Sequence, residues 1–196
     1  MKNIIASHFK KSSNLISKLK SNQKKISEIV DLIINCSNRG HKILVAGNGG
    51  SSADADHFTG ELVCTFDNRN RPGISAISLS NNSAAVTAWS NDFNYETYFK
   101  RQVQAIGKRG DIIILLSTSG GVKKTKQSMN LVHAAELAKR KGIKVISFSG
   151  KSGGVLKKIS DLNIHIKSNN TAHIQEAQMS ILHCICTCLD TKLIKK

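Results

Sequence analysis

The chain has 196 residues, 40% of them hydrophobic, enough for one substantial core and too few for two independent domains of ordinary size. A net charge of +16 raises nucleic acid as a partner, but the lysines are spread along the whole chain, only 5% of residues are aromatic and no nucleic-acid motif occurs. A solvated basic surface that attracts anionic metabolites is the better reading. No apolar run approaches the roughly 20 residues of a membrane helix, and Ile4-Ile5-Ala6 is interrupted by Ser7, His8 and two lysines, so the expectation is no membrane span, no export signal and a cytoplasmic protein.

Residues 1–39 read as two helices. The second is marked by Ile26, Ile29, Val30 and Ile33 at helical spacing, with Gly40 placed to close it. From Lys42 onward short apolar runs alternate with helical stretches: Ile43-Leu44-Val45, Ile74 to Leu79, Ile112 to Leu116, Val145 to Phe148 and Leu162 to Ile166. Continuous β-branched runs, without apolar–polar alternation, belong to parallel strands covered on both faces. The expected fold is therefore α/β: one doubly wound domain over 1–196, its parallel sheet between helical layers in 40–196 and the helices of 1–39 preceding it. Thr171 to Leu193, with Ile174, Ala177, Ile181 and Leu182 at helical spacing, reads as a long closing helix that carries Gln175 and His183. The five cysteines read as reduced thiols. Of Cys184, Cys186 and Cys188 only the first and last share a helix face, so all three are taken as small buried hydrophobes and not a metal cluster.

Open α/β sheets bind ligands beyond the carboxyl ends of their strands. Directly after the first strand stands Gly47-Asn48-Gly49-Gly50-Ser51-Ser52, which exposes backbone N–H groups ahead of a helix and suits an anion, although it is neither a Walker loop nor a dinucleotide fingerprint. A second loop, Ser117-Thr118-Ser119-Gly120-Gly121, follows the most apolar strand and offers three hydroxyls. Two such loops fit one phosphorylated ligand better than two coincidences. On the helix after the first loop, His57 and Glu61 are four apart and share a face; on spacing alone a surface ion pair is the better reading, and it is their place on the helix that begins at the ligand loop that favours a pair converging on one metal or one substrate carbon.

The run Gly47 to Phe58, Gly-Asn-Gly-Gly-Ser-Ser-Ala-Asp-Ala-Asp-His-Phe, with Glu61 following, resembles the first signature of the phosphoheptose isomerases of the sugar-isomerase (SIS) family. Asn91-Asp92-Phe93, Ser117-Thr118-Ser119-Gly120, and Ile174-Gln175-Glu176 with His183 occur in the family's order and spacing, so the resemblance covers nearly the whole chain. It implies conversion of sedoheptulose 7-phosphate to D-glycero-D-manno-heptose 7-phosphate through an enediol, for heptose in bacterial surface glycans such as lipopolysaccharide or capsule. By the same resemblance His57, Glu61, Gln175 and His183 match ligands of one zinc per site, and Glu61 and His183 match the acid/base pair. Asn48, Gly49, Gly50, Ser51, Glu61, Asn91, Asp92, Ser117, Thr118, Ser119 and Gln175 match substrate-binding positions. The family's usual assembly, a homotetramer, is implied too, with the 1–39 helices packing the oligomer. A carboxylate is a suitable base and a histidine a suitable partner acid for such proton transfer.

Three positions depart from the family's pattern. Val122 stands where a phosphate-loop hydroxyl is usual, which leaves Lys123 or Lys124 to compensate; His173 replaces an arginine and Gln178 an aromatic or histidine. Gln175 and His183, eight residues apart, are separated by about 12 Å along a continuous helix, so the site with Glu61 is expected to take at least one of them from a neighbouring chain. A reading from another class is a non-catalytic SIS-fold protein resembling the regulators that bind the bacterial replication initiator. Those depart at the catalytic histidine and glutamate, which are both present here. A transcriptional sugar-phosphate sensor would need an appended helix-turn-helix domain, for which the N-terminal segment is too short.

Overall fold

The computed structural model describes residues 1–194. Two helices open the chain, α1 (Lys2–Lys18) and α2 (Gln23–Asn38), joined by a 3-10 turn over Leu19–Asn22. Ile26, Ile29, Val30 and Ile33 are all buried, and Gly40 sits at φ 73°, a left-handed turn that a side chain would disfavour.

Five strands follow, β1 (Ile43–Gly47), β2 (Ala76–Ser78), β3 (Ile112–Ser117), β4 (Lys144–Ser149) and β5 (Leu162–His165), in the order β2-β1-β3-β4-β5 and all parallel. Every residue of β1 and β3 is buried, as their continuous apolar runs require. Side chains alternate between two cores. Ile43, Val45, Ile112 and Ile114 pack with α2, with α3 (Gly50–Val63) and with α8 (Thr171–Leu193), while Leu44, Ala46, Ile113 and Leu115 pack with α5 (Tyr98–Ile106) and α6 (Met129–Arg140). The short helices α4 (Ser83–Asp92) and α7 (Leu156–Ile159) complete the layers.

Because β2 lies on one side of β1 and β3 on the other, the chain reverses its direction of winding between β1 and β3. That switch point is where an open sheet leaves a crevice. The loops after β1 and β3, the two read from the sequence as ligand loops, are therefore neighbours at the carboxyl edge. Asp111, next to β3, accepts hydrogen bonds from Lys42 Nζ (2.6 Å) and Lys42 N (3.1 Å) at the start of β1 and from Lys108 N (2.8 Å), locking the two central strands at their opposite end.

Among the described residues no helix is long and apolar enough to cross a membrane. Cys186 is buried and its thiol is pushed up to about 12 chiefly by that burial, but Cys184 is exposed and Cys188 only half-buried. The expectation of three buried cysteines is corrected: residues two apart on α8 point to different faces, so Cys186 faces the core, Cys188 packs at its edge and Cys184 is exposed.

Candidate active site

A cavity of about 520 Å³ opens at the switch point. Asn48, Gly50 and Ser51 from the first loop, Ser117 and Thr118 from the second, and Gln175 from the first turns of α8 line it. Gly49, at φ 57°, is the residue before α3, and any side chain on Gly50 would collide with the Gln175 amide. The first loop is thus glycine-rich both because its backbone turns left-handed and because α8 approaches it closely. Asn48 is held by a reciprocal amide pair with buried Asn130 (3.0 and 2.9 Å) and accepts from the Tyr95 hydroxyl (2.7 Å). Burial raises the Tyr95 phenol above its ordinary range, which keeps it a donor.

The second loop differs from its sequence reading. Val122 pairs with Gln127 in an antiparallel bridge, so residues 122–127 form a small excursion, after which Ser128 returns to the cavity. Ser128 Oγ lies 3.1 Å from Ser117 Oγ and 3.3 Å from Ser119 Oγ. Three serine hydroxyls therefore cluster here despite Val122, because the excursion brings in a hydroxyl from six positions further on. Lys123 and Lys124 are exposed outside the cavity lining; Lys126, at φ 56°, is the lysine that lines it. Tyr95, Glu96, Asn130 and Thr171 also line the cavity and were missed. The signal for Ser128 and Asn130 was their place at the start of a helix directly beyond the loop.

The remaining candidates lie further along the helices. His57 Nε2 is 3.0 Å from Glu61 Oε1, and the His183 ring centroid is 5.3 Å from that of His57 in the same chain. His183 Nε2 is buried with no hydrogen-bond partner among the described residues, and so is Asp54 Oδ2 on the same α3. Burial raises the Asp54 carboxyl, opposed by His57. An orphaned buried imidazole nitrogen beside a His–Glu pair offers the donor types that a cation such as zinc takes, although the three donors do not all lie within 4.8 Å of one another. Gln175 is elsewhere: it rests on Gly50, two helical turns before His57. Helices α3 and α8 run side by side in the same direction, matching Gln175 to Gly50 and His183 to His57. Within one chain this parallel packing brings His183 beside the His57–Glu61 pair and leaves Gln175 at Gly50; whether the site with Glu61 takes Gln175 or His183 from a neighbouring chain is a question of assembly. The spacing argument holds for Gln175, which this packing keeps about 12 Å along the axis from His183.

Asn91 and Asp92 end α4, exposed and bonded to each other (2.9 Å), outside the cavity lining. Gln178 is fully buried, accepting from Ser51 Oγ (3.4 Å) and donating to the Phe148 carbonyl (3.1 Å), and thereby ties α8 to both the first loop and the sheet. Buried Arg71 donates to Asp190 Oδ1 (2.7 Å) and to the carbonyls of Leu62 and Glu61, while Asp190 accepts from Asp67 N and Asn68 N. This network fixes the end of α3 against α8 and hence the register of Glu61 and His183.

The SIS-domain family profile matches residues 7–150. A probable phosphoheptose isomerase of Thermoplasma acidophilum is 40% identical over 175 residues, covering 89% of this chain and 92% of that protein. The phosphoheptose isomerase of Helicobacter pylori strain P12 is 40% identical over 178 residues, with 91% and 89% covered. The solved phosphoheptose isomerase of Francisella tularensis superposes with a TM-score of 0.89 at 33% identity, covering 97% of this chain and 98% of that one, and that of Neisseria gonorrhoeae with 0.88 at 29% over the same shares. The chain belongs to the SIS-domain family and, within it, to the phosphoheptose isomerases.

Proposed function

We propose that this protein isomerises sedoheptulose 7-phosphate to D-glycero-D-manno-heptose 7-phosphate. The observation that carries the reading is the distance between two groups of residues along α3. The hydroxyl cluster and Gly50 lie at the start of the helix; His57, with His183 beside it, lies two turns further on, about 10 Å along the axis, and Glu61 reaches back to His57 from the following turn. A seven-carbon chain built of bonds near 1.5 Å spans roughly the same 10 Å from its phosphate to its first carbon. A substrate whose phosphate sits on Ser117, Ser119 and Ser128 therefore lays its carbonyl end beside Glu61 and His183.

There the Glu61 carboxylate takes the proton from C1 while the C2 oxygen is protonated, which gives the enediol. Return of the proton to C2 and loss of one from the C1 oxygen leave the aldose, with the His183 imidazole the second proton carrier while its Nε2 is not bound to a metal. Asn48, fixed by Asn130 and Tyr95, orients sugar hydroxyls, and the serines position the phosphate. His57, Glu61 and His183 would hold one zinc ion, with Gln175 the more distant candidate ligand. When bound, the ion supplies electrophilic stabilisation of charge on the substrate oxygens.

The non-catalytic reading gains nothing from a His57–Glu61–His183 grouping. Ile4, Ile5 and Phe9 of α1 are 72%, 51% and 67% exposed, which supports the 1–39 helices as packing surface of a homotetramer. The product would serve surface-glycan heptose synthesis in the cytoplasm. Turnover of sedoheptulose 7-phosphate by the purified protein tests the activity, metal analysis tests the zinc and sedimentation tests the assembly.

A further inference from the structure

A second cluster of donors lies on the other face of α8. His8 of α1 places Nε2 3.2 Å from Glu176 Oε1 and Nδ1 3.3 Å from His173 Nε2. Taking one ligand atom from each residue, the three donors all lie within 4.8 Å of one another, and among the described residues this is the one such trio of His, Cys, Asp or Glu. His173 is buried, at 6% exposure, while His8 and Glu176 are partly open to solvent. The buried Ser12 hydroxyl donates to Glu176 Oε2 and so fixes the carboxylate from its far side.

We propose that His8, His173 and Glu176 bind a divalent transition-metal ion of their own, which pins the N-terminal helix to α8. Two imidazoles and a carboxylate are a zinc-type donor set, and donors bonded at about 2.0 Å to a tetrahedral ion stand roughly 3.3 Å apart. The cluster is nearly that tight already. Partly exposed His8 has only to turn one nitrogen toward the ion, giving up one of its two present hydrogen bonds, and water takes the fourth position. Ser12 acts as the outer partner that orients a ligating carboxylate.

The site is separate from the one assigned to isomerisation. Consecutive residues of a helix point about 100° apart, and Glu176 is about 10 Å along the axis from His183. Gln175 faces Gly50 of α3, whereas Glu176 faces α1.

The test is a titration of metal-stripped, full-length protein with cobalt(II), whose visible absorption reports four-coordinate binding, beside the variant His8→Ala/His173→Ala and the variant His57→Ala/His183→Ala. The proposal predicts that His8→Ala/His173→Ala lowers the stoichiometry by one equivalent per chain. The His57→Ala/His183→Ala protein keeps that equivalent, and Ser12→Ala weakens it by about tenfold. Circular dichroism confirms folding of each variant, and the single His8→Ala change at a partly exposed position serves if the double variant unfolds. An unchanged stoichiometry after removal of the His8 imidazole overturns the proposal, and so does a His57→Ala/His183→Ala protein that binds no cobalt. Neither result bears on turnover, so isomerisation and this site stand or fall separately.

Discussion

The hydroxyl of Ser128 lies 3.1 Å from that of Ser117, eleven residues earlier in the chain, and completes a cluster that Val122 had seemed to leave one donor short. A neutral hydrogen bond is worth about 0.5–1.5 kcal/mol net, so Ser128→Ala should raise the KM for the phosphorylated sugar roughly two- to twelvefold. Val122→Ser should leave KM unchanged, because Val122, whose backbone pairs with that of Gln127, does not line the cavity. Steady-state kinetics of the two variants decides the point; a KM lowered by Val122→Ser would return the phosphate to position 122.

Glu61→Gln and His183→Ala should each lower kcat by at least about a hundredfold, the scale for removing a positioned acid or base. If one chain supplies both residues, as the placing of His183 beside His57 in the same chain supports, co-refolding the two inactive proteins creates no intact site, and activity should stay at the parental level. Recovery toward a quarter or more of the wild-type rate in mixed oligomers would mean that His183 serves its neighbour.

Arg71 and Asp190 are buried partners that no active-site argument requires, yet they hold α3 on α8. Removing one member of a buried pair typically costs about 3–5 kcal/mol. Arg71→Met should lose that much stability in urea unfolding and reduce turnover as Glu61 and His183 lose register. A loss under about 1 kcal/mol, with full activity, contradicts this role.

Asp111 carries a pH signature. Burial pushes its carboxyl up, but hydrogen bonds from the Lys42 ammonium, Lys108 N–H and Lys42 N–H outweigh burial and hold it below the usual carboxylate range. A depressed folded-state pKa contributes stability that is fully present above the unfolded value of about 3.9 and is lost as the pH falls through the folded value. Asp111→Asn should therefore destabilise the protein by about 1–3 kcal/mol at pH 7, and the difference from wild type should shrink below about pH 4. A difference that holds constant or grows on acidification would show that the ionised carboxylate contributes nothing.

The strands were legible because their β-branched runs are continuous, and α8 because its apolar period is unbroken from Thr171 to Leu193. The ligand loops were legible from glycines and hydroxyls after strands. What escaped was geometry without a local signature. Residues 122–127 are polar and aperiodic, and the left-handed turns at Lys126 and Ser128 use residues that seldom adopt them, so nothing marked an excursion. The eight-residue spacing of Gln175 and His183 showed that they separate along the axis. It could not show that α3 runs parallel to α8 and meets both from the same chain. Arg71 finds Asp190 across 119 positions of sequence, a pairing no spacing rule reaches.

The central claim is tested most directly by incubating the purified protein with sedoheptulose 7-phosphate in deuterated water and following the sugar by NMR. The account predicts formation of the aldose heptose 7-phosphate, with deuterium entering at C2 to the extent that the proton held on Glu61 exchanges with solvent, and none of this in Glu61→Gln. Binding of the ketose with no aldose formed, by folded wild-type protein supplied with zinc, would contradict it.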